Sequence, residues 1–211
     1  MFACGINDYS HIYKVSNNED SFGYQIINPP IKLYSDMDYF SSISINRYQV
    51  VLITKDGKSY VRGYNCRDII SGSLPSRTFT EDTEFVLKNE RGLPFKFISV
   101  VCGICYTLYL VSDESCVDNF KLVYCYEMKK PNPLFLNIGN RTPQALFGGH
   151  QTSGVIDSEG GIIIISDSIF KSPTQKIETS FLPLGDKAVK LACCSQFVIS
   201  LGQSGRAYFS E

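Results

Sequence analysis

The sequence predicts an all-β protein built as a stacked or circular array of repeated units, and three observations support this. One pattern, clearest from Asn46 to Gly57, places an apolar stretch before a turn and recurs three more times. The copies follow one another at about 45 to 57 residues, a period typical of arrays of supersecondary units. Short β-branched and aromatic runs broken by Gly, Asp, Asn, Ser and Pro occur throughout, whereas helical apolar spacing is rare. The other copies run from Gly103 to Glu114, Gly149 to Gly160 and Cys194 to Gly205.

The first full unit has a clear strand–turn–strand order. Tyr48 to Thr54 predicts a strand, Lys55-Asp56-Gly57 a hairpin turn, and Ser59 to Arg62 the return strand. Asp-Gly favours such a turn because these residues supply the positive φ angles that match the twist of paired strands. We therefore predict that an antiparallel hairpin forms the centre of each unit.

The other units repeat this order with shorter matches. Their middle strands are predicted at Leu108 to Leu110, Gly154 to Ile156 and Val198 to Leu201, with return strands at Ile162 to Ile165 and Ala207 to Phe209. A further apolar strand precedes each hairpin, at Ile43 to Ile45, Ile98 to Val101, Ala145 to Phe147 and Val189 to Ala192. The chain is thus predicted to be one repeat domain, 1–211, with units at about 1–37 (partial), 38–95, 96–142, 143–186 and 187–211 (incomplete).

One unit has extra residues between its turn and its return strand. They predict an enlarged hairpin tip around Ser115 to Lys121. Loops that extend from a rigid scaffold are frequent sites of binding. The tip is therefore a predicted place for a binding function, while the identity of individual binding residues does not follow from the pattern.

The composition argues against several classes of partner. The chain has 211 residues, a formal net charge of −1 and a single basic pair, Lys129-Lys130. Without a basic stripe there is no counterion release to drive DNA or RNA binding, so nucleic acid is not predicted as a direct partner. No apolar run reaches membrane-spanning length, and Met1 to Gly5 lacks the pattern of a secretory signal, so no membrane partner is predicted. The eight cysteines are then expected to be thiols in a cytoplasmic or nuclear protein.

The sequence Cys102-Gly103-Ile104-Cys105 is the strongest candidate for chemistry. Such a pair exchanges disulfides when the N-terminus of a helix lowers the pKa of one thiol. Here Tyr106 to Val111 has the composition of a strand, and a zinc site would need a second close pair that Cys116 and Cys125 do not form. Core thiols are therefore the favoured interpretation, with a thiol–disulfide oxidoreductase acting through Cys102 and Cys105 as a remote alternative.

Other motifs lack residues that catalysis or phosphate binding would require. Gly57-Lys58-Ser59 resembles the end of a phosphate-binding loop, but Leu52 occupies the place of the required glycine. Gly202 to Gly205 lacks the spacing of a serine nucleophile elbow. His11 and His150 have no neighbouring nucleophile or orienting carboxylate in the sequence. We therefore predict no catalytic residues, no cofactor and no metal, and hence a protein that is not an enzyme.

Residues 46–65 resemble the repeat of the regulator of chromosome condensation family. The residues that match this repeat are Leu52, Asp56, Gly57, Tyr60, Gly63 and Asn65, and in the next unit Gly103, Thr107, Leu108, Leu110 and Asp113. The segment Phe2 to Asn7 is similar to the tail of a repeat, so the chain is expected to start within a unit. The family's Trp position holds Arg62, and its His position holds Gln49, Tyr106, Thr152 and Phe197.

The resemblance implies both a fold and a class of function. Repeats of this family form β-propellers, so the expectation is a partial or open β-propeller of about four units. Family members commonly act as protein-binding domains, which implies a non-enzymatic interaction scaffold or adaptor with a protein partner. A small GTPase and ubiquitin-ligase machinery are the partner classes that the family suggests. Guanine-nucleotide exchange on a small GTPase, the activity of the founding member, is the alternative function.

Overall fold

The computed structural model of the protein describes residues 2–7, 25–32, 39–46, 49–64, 79–104, 106–113, 120–126, 133–166, 177, 179–194 and 197–210. Within these ranges the regular structure is almost entirely β-strand, with one short 3₁₀ turn at Pro183–Gly185. The predicted all-β class is therefore confirmed. No helix in these ranges is long and apolar enough to cross a membrane.

The described strands form five antiparallel sheets, numbered here in chain order. Sheet 1 contains β1 (Phe2–Asn7) and β2 (Gln25–Lys32). Sheet 2 contains β3 (Phe40–Ile45), β4 (Gln49–Thr54), β5 (Ser59–Tyr64) and β6 (Phe79–Phe85). Sheet 3 contains β7 (Lys96–Cys102), β8 (Tyr106–Ser112), β9 (Phe120–Tyr126) and β10 (Leu134–Leu136). Sheet 4 contains β11 (Pro143–Gly148), β12 (Thr152–Asp157), β13 (Ile162–Ser166) and β14 (Thr179–Ser180), and sheet 5 contains β15 (Ala188–Cys193), β16 (Val198–Gly202) and β17 (Ala207–Ser210).

Each described strand pairs with its neighbour in the chain, so every sheet is a simple meander. Strands occur at each predicted position, and most extend beyond the predicted ends by one to three residues. The predicted unit boundaries and the single domain that joins the units remain predictions. The enlarged hairpin tip lies mainly outside the described residues. The predicted tip extends to Lys121, but strand β9 begins at Phe120 and contains Lys121. This end of the predicted tip is therefore wrong.

Three apolar clusters join sheets 2 to 5 face to face in chain order. The first packs Val51 and Ile53 of sheet 2 against Phe97 and Val100 of sheet 3. The second joins sheets 3 and 4, and its members include Leu108, Leu122, Val155 and Ile163. The third joins sheets 4 and 5, and its members include Ile156, Ile162, Leu191 and Val198. Strands β4 and β12 are buried along their whole length, so both faces of sheets 2 and 4 are covered at these strands.

The central hairpins of sheets 2, 4 and 5 share one turn geometry, which differs from the predicted one. The N–H of Gly57 donates to the carbonyl of Thr54 (3.0 Å), and the N–H of Thr54 donates to the carbonyl of Lys58 (2.9 Å). Gly57 has a φ of +86°, while Asp56 has a negative φ. The predicted hairpin is confirmed, but the expectation that Asp56 also takes a positive φ is wrong. A longer turn that ends in one left-handed glycine also follows the strand twist. The same two hydrogen bonds recur around Gly92, Gly160 and Gly205.

Candidate interaction surface

Polar side chains join sheets 2 and 3 near the loop between the first two strands of each sheet. The side-chain amide of Gln49 donates to the Thr107 hydroxyl (2.7 Å) in a buried hydrogen bond. The Asn46 side chain donates to the carbonyl of Gly103 (2.8 Å). The hydroxyl of Ser44 accepts from the N–H of Cys102 (2.9 Å). These contacts fix the register between the two sheets in a way that apolar packing alone does not.

Tyr106 connects sheets 3 and 4 from the position that corresponds to Gln49. Its hydroxyl donates to the carbonyl of Gly149 (3.1 Å), and its buried ring stacks on Tyr124 at 5.1 Å between centroids. Nearby, the N–H of Ile104 donates to the carbonyl of His150 (2.8 Å), whose side chain is exposed. In the sequence, Gln49 and Tyr106 are recognisable only as residues that replace the family's histidine. Both hold the next sheet in place.

Burial raises the pKa of the Tyr106 hydroxyl to about 12 from its ordinary value of 10.0. Because the folded pKa is the higher one, this group stabilises the fold fully below about pH 10, and the stabilisation is lost as the pH rises towards 12. We expect the free energy of unfolding of the Tyr106→Phe variant to fall less steeply over that range than that of the wild type. At neutral pH the variant should lose about 1 kcal/mol. Urea unfolding measured across this pH range checks both effects, and parallel pH profiles would contradict the first.

The left-handed turn glycines also contact the following sheet. The carbonyl of Gly57 accepts from the N–H of Phe97 (2.8 Å), and that of Gly160 accepts from the N–H of Ala188 (3.1 Å). A Cβ at Gly57 would lie 2.1 Å from the Cγ of Lys96, so the two chains approach closely there. Gly205 has the same conformation, with a φ of +83°, but none of the described residues lies within 4 Å of the corresponding point. The contact that Gly57 and Gly160 make with the following sheet therefore has no counterpart at Gly205 among the described residues.

Sheet 5 presents an exposed apolar face, called here the open face and defined by Phe197, Ile199, Leu201 and Phe209. Along β16, Val198 and Ser200 are buried towards sheet 4, whereas Ile199 and Leu201 are exposed. Ile199 pairs with Phe209, which is 61% exposed, so both side chains lie on the same face. The rings of Phe197 and Phe209 are 5.4 Å apart. Apolar side chains, two of them aromatic, thus form a continuous exposed patch.

A small cavity lies between the turn of sheet 2 and the start of sheet 3. Its volume is about 200 Å³, and Phe85 and Phe97 lie beneath a rim that includes Asp56, Lys58 and Lys96. Small-molecule sites usually enclose about 300–1,000 Å³, so this cavity is below their usual size. The open face is therefore the better candidate for an interaction site.

Of the cysteine pair, Cys102 lies within the described residues. Cys102 ends β7, and its sulfur accepts a hydrogen bond from the hydroxyl of Thr107 at 3.9 Å. Cys105 and Cys116 lie outside the described residues, while Cys125 is buried in the first apolar cluster. The segment that follows the pair is strand β8, which begins at Tyr106, so no helix dipole acts on Cys102 from there. Within the described ranges, no group of three His, Cys, Asp or Glu side chains is placed to hold a metal ion.

Successive antiparallel meanders, packed face to face through three apolar clusters, form a β-propeller fold similar to that of regulator of chromosome condensation proteins. Solved structures confirm this predicted fold. The yeast RCC1 protein Prp20, bound to Kap60, matches with a TM-score of 0.60 at 15% identity over 87% of this chain and 46% of that chain. Prp20p from Saccharomyces cerevisiae matches with a TM-score of 0.58 at 15% identity over 87% of this chain and 48% of that one.

Human WBSCR16 has the same kind of fold. It matches with a TM-score of 0.53 at 13% identity over 99% of this chain and 72% of that chain. No protein-family model matches the sequence, and no curated protein does. This chain spans about half the length of the two Prp20 chains.

Proposed function

We propose that this chain is a non-enzymatic protein-interaction scaffold or adaptor that acts in the cytoplasm or nucleus and binds protein through the open face. The observation that carries the proposal is the exposure of Ile199, Leu201 and Phe209 on one face of sheet 5. A contiguous exposed apolar patch marks an interaction site more often than scattered apolar residues do. Aromatic residues at the centre of such a patch are frequent hot spots of binding.

The rigidity of the neighbouring sheet supports the same proposal. Val198 and Leu191 anchor sheet 5 to sheet 4, and the open face lies on the opposite side of the same strands. A face that is already ordered loses little conformational entropy when a partner binds. A flat apolar surface without convergent charged groups suits a protein partner better than a small polar substrate.

An aspartate on the open face is expected to abolish partner binding without unfolding the chain. Ile199→Asp places a charge in the centre of the face, and its matched control is Ile164→Asp, which changes an exposed isoleucine of sheet 4. Proteins captured from cells by the tagged wild type should be lost with the first variant and kept with the second. Ubiquitin-ligase components are a predicted partner class, and they would be identified among the proteins that the wild type captures and the Ile199→Asp variant does not. Identical captured sets for the two variants would contradict the proposal.

Guanine-nucleotide exchange on a small GTPase is a second candidate function, and the likeness to Prp20 favours it. Prp20p was studied for its binding properties to Gsp1p and histones. The test is the release of fluorescent GDP from a small GTPase in the presence of this chain. Release faster than the intrinsic rate supports exchange, and an unchanged rate at the highest protein concentration supports the scaffold.

A further inference from the structure

Leu184, in the connection between sheets 4 and 5, combines a strained backbone with an exposed side chain. Its φ is +62°, and it is the one residue other than glycine with a positive φ in the part of the chain that the structure describes. It is 87% exposed, the largest exposed fraction among the large apolar residues in that part. Each feature lowers the stability of the fold, the first through strain and the second because apolar surface stays in water.

The strain follows from the type of turn in which Leu184 lies. The N–H of Asp186 donates to the carbonyl of Pro183 (3.3 Å), and the φ angles of the two residues between them, Leu184 and Gly185, are +62° and +70°. Two consecutive positive φ angles are typical of a type I′ turn, in which Asn, Asp or Gly is preferred at the first central position. A leucine is unfavourable there, because its Cβ comes too close to the following carbonyl oxygen.

The surrounding structure holds this turn in place on both sides. Before the turn, Leu182 is 7% exposed and packs in the third apolar cluster. After the turn, the carboxylate of Asp186 accepts hydrogen bonds from the N–H of Ser204 (3.1 Å) and from the hydroxyl of Tyr208 (3.0 Å), both in the last hairpin. The exposed side chain of Leu184 therefore stands on a backbone that is fixed to sheets 4 and 5.

We propose that Leu184 is the anchor of a second interaction site, which binds a different protein by inserting this side chain into an apolar pocket of that partner. Strained residues persist where the surrounding structure fixes them, and they cluster at functional sites. One apolar side chain at the tip of a turn is convex, so a concave apolar surface is what buries it, as in the pockets that receive binding hot spots. The inference goes beyond the proposed function, because Leu184 is not part of the open face.

Two other occupants fit this turn less well. Even a single myristoyl chain binds a membrane only weakly, so one leucine is too small an anchor for a lipid surface. A second copy of this chain would have to supply the pocket, and the small cavity beside Gly57 has a rim that includes Asp56, Lys58 and Lys96. A charged rim of this kind does not match an apolar tip.

Leu184→Asn tests the strain on which the inference rests. Asparagine tolerates a positive φ, so this variant should raise the urea midpoint of unfolding by about 0.5 M. Leu93→Asn is the matched control, because Leu93 is 51% exposed and does not have a positive φ. Its midpoint should not rise. An unchanged midpoint for Leu184→Asn would show that the turn is not strained and would overturn the inference.

Photo-leucine, a diazirine analogue of leucine, identifies the partner when it is placed in the full chain at position 184. The chain is irradiated in cells, and mass spectrometry identifies the crosslinked peptides. We expect one protein to crosslink at position 184, through residues that line an apolar pocket, and not to crosslink when the analogue replaces Leu93. After purification, that protein should bind the wild type at least about 30-fold more tightly than the Leu184→Asn variant.

Three further results would overturn the inference. They are the absence of a crosslink at position 184, crosslinks only to lipid or only to a second copy of this chain, and equal affinity of the purified partner for the wild type and the Leu184→Asn variant. None of them bears on the proposed function, which is tested separately by Ile199→Asp on the open face.

Discussion

Replacing Gly160 with alanine is expected to lower the free energy of unfolding by about 3 kcal/mol, because two costs add at this position. The φ angle of Gly160 is +84°, where an L-residue with a side chain is strained. The new Cβ would also lie 2.6 Å from the Cβ and 3.0 Å from the Cα of Lys187, at the start of sheet 5. A backbone atom cannot rotate away as the end of a side chain can, so sheets 4 and 5 would have to separate locally.

Gly92→Ala is the matched control for this prediction. Gly92 has a φ of +77° in a turn with the same two hydrogen bonds, and none of the described residues lies within 4 Å of its Cβ position. Only the conformational cost remains there, about 1 kcal/mol. Equilibrium unfolding in urea measures both variants. Equal losses would mean that the contact between Gly160 and the next sheet does not constrain the turn.

The second large effect is expected at Ile163, whose side chain is fully buried between sheets 3 and 4. Ile163→Ala should reduce the free energy of unfolding by about 3 kcal/mol, since it removes three methyl or methylene groups and leaves a cavity. The adjacent Ile164 is 38% exposed, so Ile164→Ala should cost about 1 kcal/mol or less.

Thermal and urea unfolding should therefore show a larger loss of stability for Ile163→Ala than for Ile164→Ala, although the two residues are identical in type and adjacent in the chain. The order of the two losses is the decisive result, because both substitutions remove the same atoms and share the same change in β-propensity. A loss at Ile164 equal to that at Ile163 would contradict the packing of sheet 4 described above.

The same pair illustrates how far the sequence could predict the fold. Four consecutive isoleucines from Ile162 to Ile165 predict a strand, and β13 is found there. Nothing in an unbroken apolar run tells which side chain is exposed, because that depends on what covers each face of the sheet. Val50 to Ile53 raises the same question, and there all four side chains are buried. Local residue preferences thus predict where the strands lie, but they do not predict which side chains of a strand are buried.

The turns show a second limit of local information. The Asp56-Gly57 pair predicts the hairpin correctly, because Asp-Gly favours a turn that matches the twist of paired strands. The contact of Gly57 with Lys96 and Phe97 depends on how sheets 2 and 3 pack, which no short pattern encodes. The negative φ of Asp56 follows from the longer turn, since only the final residue of that turn takes the left-handed conformation.

The candidate interaction surface was the least predictable feature. Ile199 and Leu201 have the same sequence character as Val51 and Ile53, and only the neighbouring sheet decides which pair is buried. In the same way, the bridges made by Gln49 and Tyr106 require the register between two sheets. The repeat alignment makes Gln49 and Tyr106 equivalent, but it does not predict what their side chains contact.

The one-sided packing of sheet 5 has a consequence for how this protein opens. In an array of repeats, each unit draws part of its stability from the interfaces on both of its sides. Among sheets 2 to 5, sheet 5 shares an apolar cluster only with sheet 4, so we expect the amide protons of the hairpin of β16 and β17 to exchange sooner than those of sheets 3 and 4. Any ligand that binds Phe209 and its neighbours therefore slows that exchange, and occupancy of the face is thermodynamically linked to the order of the last hairpin.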